Sequence, residues 1–190
     1  MLKNQIKYSQ NAFITLTAGA FTIQQFACNG LYHPDTTTPG TTTQPLYFDQ
    51  LMAVYNHYAV VSSKISIQLA GSTATNNSLG FGVYVDDDTT GVTAGFRDLI
   101  TQPGSQWGQC NTLVSQPKML YAYWNSKRFF GTDTPWKQDE LSGSVGANPA
   151  EMSHFTIGVT DLSSQTATWV ATVEIVYDVV WEELKTLPSS

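Results

Sequence analysis

Charge is scarce in this sequence. Asp, Glu, Lys and Arg together make up 13% of its 190 residues, about half the share of an ordinary soluble domain. Thr, Ser, Gln, Asn and Gly stand in their place, a mixture that suits short strands joined by turns better than solvated helices. Positive charge is scarcer still, with 9 basic residues against 15 acidic ones and a net charge of -6. Such a surface disfavours general adhesion to nucleic acid or anionic membrane and leaves only a local patch for either. Two cysteines far apart, Cys28 and Cys110, make no disulfide framework and read as buried thiols. No run approaches the roughly 18 apolar residues of a membrane span. The opening "MLKNQIKYSQ" has no apolar signal core, so neither membrane insertion nor a signal peptide is expected.

Catalytic patterns are missing too. There is no G-x-S-x-G, H-E-x-x-H, phosphate-binding loop or dinucleotide glycine pattern. His33, His57 and His154 have no partners at metal-ligand spacing and read as hydrogen-bonded or solvated imidazoles. No cofactor and no enzymatic activity are expected. The densest carboxylate cluster is Asp86-Asp87-Asp88, where a strand runs into a loop. Oxygen ligands from such a turn suit calcium, held between subunits. The plainer reading is a solvated acidic loop, and the spacing is not that of an EF-hand.

What the sequence has in quantity is alternation. Ile6 and Tyr8 open one alternating segment within Gln5 to Thr17, and Thr17-Ala18-Gly19 reads as a turn into a second at Phe21, Ile23 and Gln25. Leu79, Phe81, Val83 and Val85 form another, as do Met119, Tyr121 and Tyr123, and Phe155, Ile157 and Val159. Trp169, Ala171, Val173, Ile175, Tyr177, Val179 and Trp181 make an uninterrupted period-2 face long enough to span a whole sandwich. Long loops at Leu31 to Pro45, Asp86 to Gln109 and Gly131 to Glu151 separate the strands. At this length one well-buried core is the expectation, so residues 1–190 form a single domain. About eight strands imply an all-β fold, an eight-stranded jelly-roll β-sandwich with long loops and one short helix.

That helix is expected in "QPLYFDQLMAVYNHYAVVSSKISIQLAG". Phe48, Leu51, Met52, Tyr55 and Tyr58 recur at helical spacing, with Asp49 as a suitable N-cap. The pattern predicts two to three turns covering one end of the sandwich. From Val61 the period drops to two, through Ser63, Ile65, Ile67 and Leu69.

One stretch pairs cations with aromatics: "YWNSKRFFGTDTPWK". Lys127, Arg128 and Lys137 are interleaved with Trp124, Phe129, Phe130 and Trp136. Cations beside aromatic faces hold phosphates while bases stack, the arrangement single-stranded nucleic acid prefers. The alternative is a strand end with core aromatics and solvated cations.

Several segments together carry a family resemblance. Asn29, Gly30, Leu31, Pro34 and Asp35 are followed by Gln44, Pro45, Phe48, Asp49 and Gln50, then by Tyr55, Tyr58, Val60, Ser63, Lys64 and Ile65. In this order the chain resembles the capsid proteins of circovirus-like viruses, which carry circular single-stranded DNA and encode a replication initiator. Lys118 and "SKRFFG" at Ser126 to Gly131 resemble the family's basic segment. The resemblance covers about a third of the chain. It implies a jelly roll that assembles with itself into a small icosahedral T=1 shell of sixty copies around circular single-stranded DNA. It further implies a protein of the virion, assembled inside the host cell, in some cases in the nucleus, and able to meet a host glycan receptor. Lys127, Arg128, Lys137 and Trp124 would then lie on the inner surface.

The sequence departs from the family in one respect. Such proteins usually begin with an arginine-rich arm, whereas here only Lys3 and Lys7 lie near the start. The expectation is that the arm has been removed or that inner-surface cations such as Lys127 and Arg128 replace it, and that packaging of DNA is weak. A carbohydrate-binding β-sandwich remains open as a second reading, since aromatic faces stack on sugars and carboxylates grip hydroxyls. A sandwich hydrolase fits less well, because no acid/base pair can be named. A lectin would expose its aromatics, and most here lie in phase with core residues.

Overall fold

In a computed structural model, residues 1–17, 19–37, 43–71, 78–87, 95–111, 118–163 and 166–186 are described. The described residues build eight strands: β1 (Leu2–Leu16), β2 (Phe21–Ala27), β3 (Tyr55–Gly71), β4 (Ser78–Asp86), β5 (Gln106–Asn111), β6 (Lys118–Asn125), β7 (His154–Asp161) and β8 (Ala167–Leu184). Three one-turn helices interrupt them: α1 (Phe48–Met52), α2 (Phe96–Ile100) and α3 (Ser126–Phe130). Two 3-10 turns, at Pro135–Lys137 and Asp139–Leu141, shape the long loop before β7.

The strands form two four-stranded antiparallel sheets, in the orders β1-β8-β3-β6 and β2-β7-β4-β5. Each sheet alternates early and late strands, so neighbours are brought together across most of the chain, as a jelly roll requires. The apolar face of β8 explains the centre of the first sheet. Trp169, Ala171, Val173, Ile175, Tyr177, Val179 and Trp181 are all essentially buried. They meet Ile65, Ile67 and Leu69 of β3 and Phe81, Val83, Phe155, Ile157 and Val159 of the second sheet in one core. The fold is thus the all-β jelly-roll sandwich the alternation predicts.

The second sheet is buried on both faces at β7, because α2 lies across its outer side. Gly82 and Gly158 face each other in the β4–β7 register. A Cβ on either would run into the Leu99 side chain of α2. The two glycines therefore form a slot for Leu99, which is fully buried.

Three local expectations are corrected. The helix before β3 is one turn, ending at Met52, and Tyr55 and Tyr58 already belong to β3. Asp49 is not its N-cap: that position is Tyr47, in a left-handed conformation (φ 71) with no side-chain cap. The span Asp86 to Gln109 is not one plain loop, since it contains α2 and the first residues of β5. Both cysteines are free, Cys28 buried and Cys110 half-buried. No described helix is long and apolar enough to cross a membrane.

Candidate assembly interface

The segment Asn29-Gly30-Leu31-x-x-Pro34-Asp35 is a structural clasp. Asn29 donates from Nδ2 to the Glu151 carbonyl (2.8 Å) and accepts from the Ser153 N–H (3.1 Å). Asn148 reaches back from the long loop before β7. Its Oδ1 accepts from the N–H groups of Tyr32 (2.9 Å) and His33 (3.1 Å), and its Nδ2 donates to the His33 carbonyl (3.1 Å). The Tyr58 hydroxyl joins both sides, accepting from the Leu31 N–H at 3.0 Å and donating to Asn148 at 3.3 Å. Burial pushes the Tyr58 phenol far above its ordinary range, so it stays a neutral donor at any ordinary pH. Asp35, 3% exposed, accepts from Gln10 (3.0 Å) and the Thr37 N–H (3.0 Å). Asn29 and Asp35 thus fix loop backbone, and all five motif residues are buried.

The motif around β3 divides its duties. Ser63 is buried and donates to the Cys28 carbonyl at 2.6 Å, and Ile65 lies in the core. Lys64 between them faces outward, with its ammonium 4.7 Å from the centre of the Tyr121 ring. On β6 the phase is Leu120, Ala122 and Trp124 inward and Met119, Tyr121 and Tyr123 outward.

The cation-rich segment forms α3, a helix rather than a strand end. Asn125 caps it by accepting from the Arg128 N–H at 2.7 Å, and Gly131 ends it at φ 72. This separates the four residues read as one nucleic-acid surface. Trp124 is 1% exposed and packs on Phe129 and Phe130, with ring centres 6.3 and 6.0 Å away, so no base can stack on it. The Lys127 ammonium is held by Asp133 at 2.8 Å, and its pKa is raised by that hydrogen bond. Lys137 lies exposed on the Pro135–Lys137 turn, next to Trp136, whose ring instead carries the Lys3 ammonium at 5.1 Å. Arg128 alone joins Lys64, in a cleft of about 250 Å³ with Tyr121, Tyr123, Gln106 and Phe129 in its wall. Among the described residues no carboxylate lines this cleft.

The acidic cluster is less concentrated than it looks in sequence. Asp86 accepts from the Tyr84 hydroxyl at 2.9 Å, Asp87 is exposed, and Asp88 lies outside the described residues. Among the described residues no three His, Cys, Asp or Glu side chains gather as a metal site. His154 is neither hydrogen-bonded nor solvated. It is 1% exposed, and neither ring nitrogen has a partner among the described residues.

The exposed apolar side chains fall mainly in two groups. Met1, Leu2, Leu46, Tyr47, Val54 and Leu184 surround α1 and the start of β1, each at least 38% exposed. Met119, Tyr121, Tyr123 and Trp107 lie along β6 and β5. β1 and β6 are the two edge strands of the first sheet. The β1 and β6 members therefore lie on opposite edges of that sheet, while Trp107 lies on β5, an edge of the second sheet. Sequence reading missed the first group, although Leu46-Tyr47 before the helix was visible as an apolar pair outside any strand pattern.

No protein-family model matches this sequence, and no curated protein matches it. Solved structures do match in fold. The BFDV capsid protein in its decameric crystal structure aligns over 96% of this chain and 100% of its own, at a TM-score of 0.50 and 11% identity. The same BFDV protein as a 60-mer aligns over 100% and 98%, at 0.45 and 12%. The Maize Chlorotic Mottle Virus structure aligns over 97% and 98%, at 0.48 and 13%. At such identities the shared property is the fold, and the chain carries the jelly roll found in viral capsid proteins.

Proposed function

We propose that this chain is the shell-forming subunit of a small virus of the circovirus-like kind, assembling as sixty copies in a T=1 icosahedron around circular single-stranded DNA. The observation that carries this reading is the sandwich of two four-stranded sheets, a fold that the decameric BFDV capsid protein shares over 96% of this chain. The resemblance of the Asn29–Asp35 and Gln44–Ile65 segments supports the circovirus-like assignment. Exposed apolar side chains on opposite edges of a sheet suit a subunit with neighbours on both sides. Electron microscopy of negatively stained protein across salt and pH tests the proposal: closed shells support it, and a monomer or dimer under every condition overturns it.

The genome is held weakly by this chain. Its net charge is -6, and Lys7 and Lys127 are already paired with Glu174 (2.5 Å) and Asp133 (2.8 Å). Few cations remain to release counterions from phosphate, so the salt-dependent attraction that dominates nucleic-acid affinity is small. Particles assembled from this chain will show little nuclease-resistant absorbance at 260 nm, and a strong one contradicts the inference. A sugar site in the Tyr121–Tyr123 cleft is disfavoured because none of the described residues that line it is a carboxylate able to grip hydroxyls.

A further inference from the structure

We infer that the Leu46–Asp49 corner of one subunit docks in the Lys64–Arg128 cleft of the next, making a head-to-tail contact between opposite edges of the first sheet. This rests on the shell reading and names the surfaces that make the shell.

The corner has the features of a surface meant to be covered. Tyr47 holds a left-handed backbone (φ 71) that costs free energy for any residue with a side chain, and the residue is 62% exposed. Leu46 beside it is 68% exposed. An isolated subunit gains nothing from strain that presents two apolar groups to water. Asp49 follows at the exposed start of α1. The Asn4–Lys7 stretch of β1 lies along the same corner, and Lys7 is tied up by Glu174.

The cleft is complementary in chemistry. Tyr121 and Tyr123 offer aromatic surface, Lys64 and Arg128 offer positive charge, and among the described residues no carboxylate lines the cleft. Arg128 has no ion pair among the described residues, whereas Lys127 next to it does. A tyrosine and a leucine would bury against Tyr121 and Tyr123 while the Asp49 carboxylate meets the Arg128 guanidinium. The two surfaces differ, so the contact is heterologous. Repetition closes a ring if the rotation allows, which an isologous dimer contact cannot do.

The test is a charge exchange read by sedimentation velocity, with circular dichroism to confirm folding. Asp49→Lys and Arg128→Glu each raise the concentration needed for assembly about tenfold or more. The double variant Asp49→Lys/Arg128→Glu brings it back to within about threefold of the original. Tyr47→Gly supplies an independent readout. It relieves the backbone strain and raises the melting temperature of the unassembled chain, yet weakens assembly; a purely local role would move both in one direction. If the parent chain assembles and Arg128→Glu assembles equally well, the docking assignment is wrong and the shell reading stands. If Arg128→Glu lowers nucleic-acid content without changing assembly, the cleft belongs to nucleic acid instead. If the parent chain never assembles, the shell reading itself fails.

Discussion

Replacing Gly82 by Ala tests how α2 is attached to the second sheet. The added methyl would overlap Leu99 Cδ2 well inside any real carbon–carbon contact. Two responses are open, and the molecule takes the cheaper. Compressing the packed site costs about 1–3 kcal/mol, and lifting Leu99 into water costs about 1.5–3 kcal/mol. Lifting is feasible because α2 is a single turn whose N-terminal position, Gly95, provides no side-chain cap. The expected loss is therefore about 2 kcal/mol, or roughly 4–8 °C in Tm for a domain of this size. Leu99→Ala alone should cost about 3 kcal/mol through the cavity it leaves. In that background the nearest contacts left to the Gly82 methyl, the Gln106 carbonyl at 3.1 Å and Trp107 Cβ at 3.3 Å, ask for shifts of only a few tenths of an ångström, so its further cost falls to about 1 kcal/mol or less. Urea unfolding of the four proteins, at a concentration where each sediments as one species, gives the double-mutant cycle. Additive costs within about 0.5 kcal/mol would refute the slot.

Two more perturbations follow from the clasp and the core. Tyr58→Phe strips the acceptor from the Leu31 N–H inside the fold and should cost about 1–3 kcal/mol in urea unfolding; a loss under about 0.5 kcal/mol would show that the clasp is not under load. His154 governs a pH response. Burial lowers its imidazole below the ordinary histidine value, outweighing the nearby Asp86 carboxylate, which raises it. The folded state thus favours the neutral form. Below about pH 6.5 the unfolded chain binds a proton the folded chain refuses, and stability falls as the pH drops toward the folded pKa. His154→Gln should flatten the decline in Tm between pH 7.5 and pH 5, and an unchanged slope would remove His154 from the account.

The sandwich was legible wherever one face of a strand is wholly buried. In β8 every second residue from Trp169 to Trp181 is core, and no other element produces that rhythm over so long a run. The stretch before β3 misled for a physical reason. A bulge between Val60 and Ser62 shifts the register against β8, so Tyr58 and Val60 point inward on one phase and Ser63, Ile65 and Ile67 on the other. Alternation is broken at Val61, and the strand's first residues borrow the spacing of the short helix ahead of them. β5 escaped because it is a short edge strand with little buried surface. α3 carried its own signal, Asn125 before it and Gly131 after it, the residues a one-turn helix needs at its two ends. The surface proposed as the interface was the least legible part. Tyr121 and Tyr123 alternate as a core face would, and only the position of Leu120, Ala122 and Trp124 against the second sheet shows which set is outside.

Closure of sixty subunits into one shell is the proposal on which the docking contact depends. Mass measurement of the purified protein by sedimentation equilibrium, at the salt and pH where stained particles are seen, tests it most directly. A closed shell gives one dominant species at sixty times the 20.9 kDa subunit mass, with little DNA bound. A chain that stays at one or two subunits at every salt and pH, with its glycine slot and clasp intact, would contradict it.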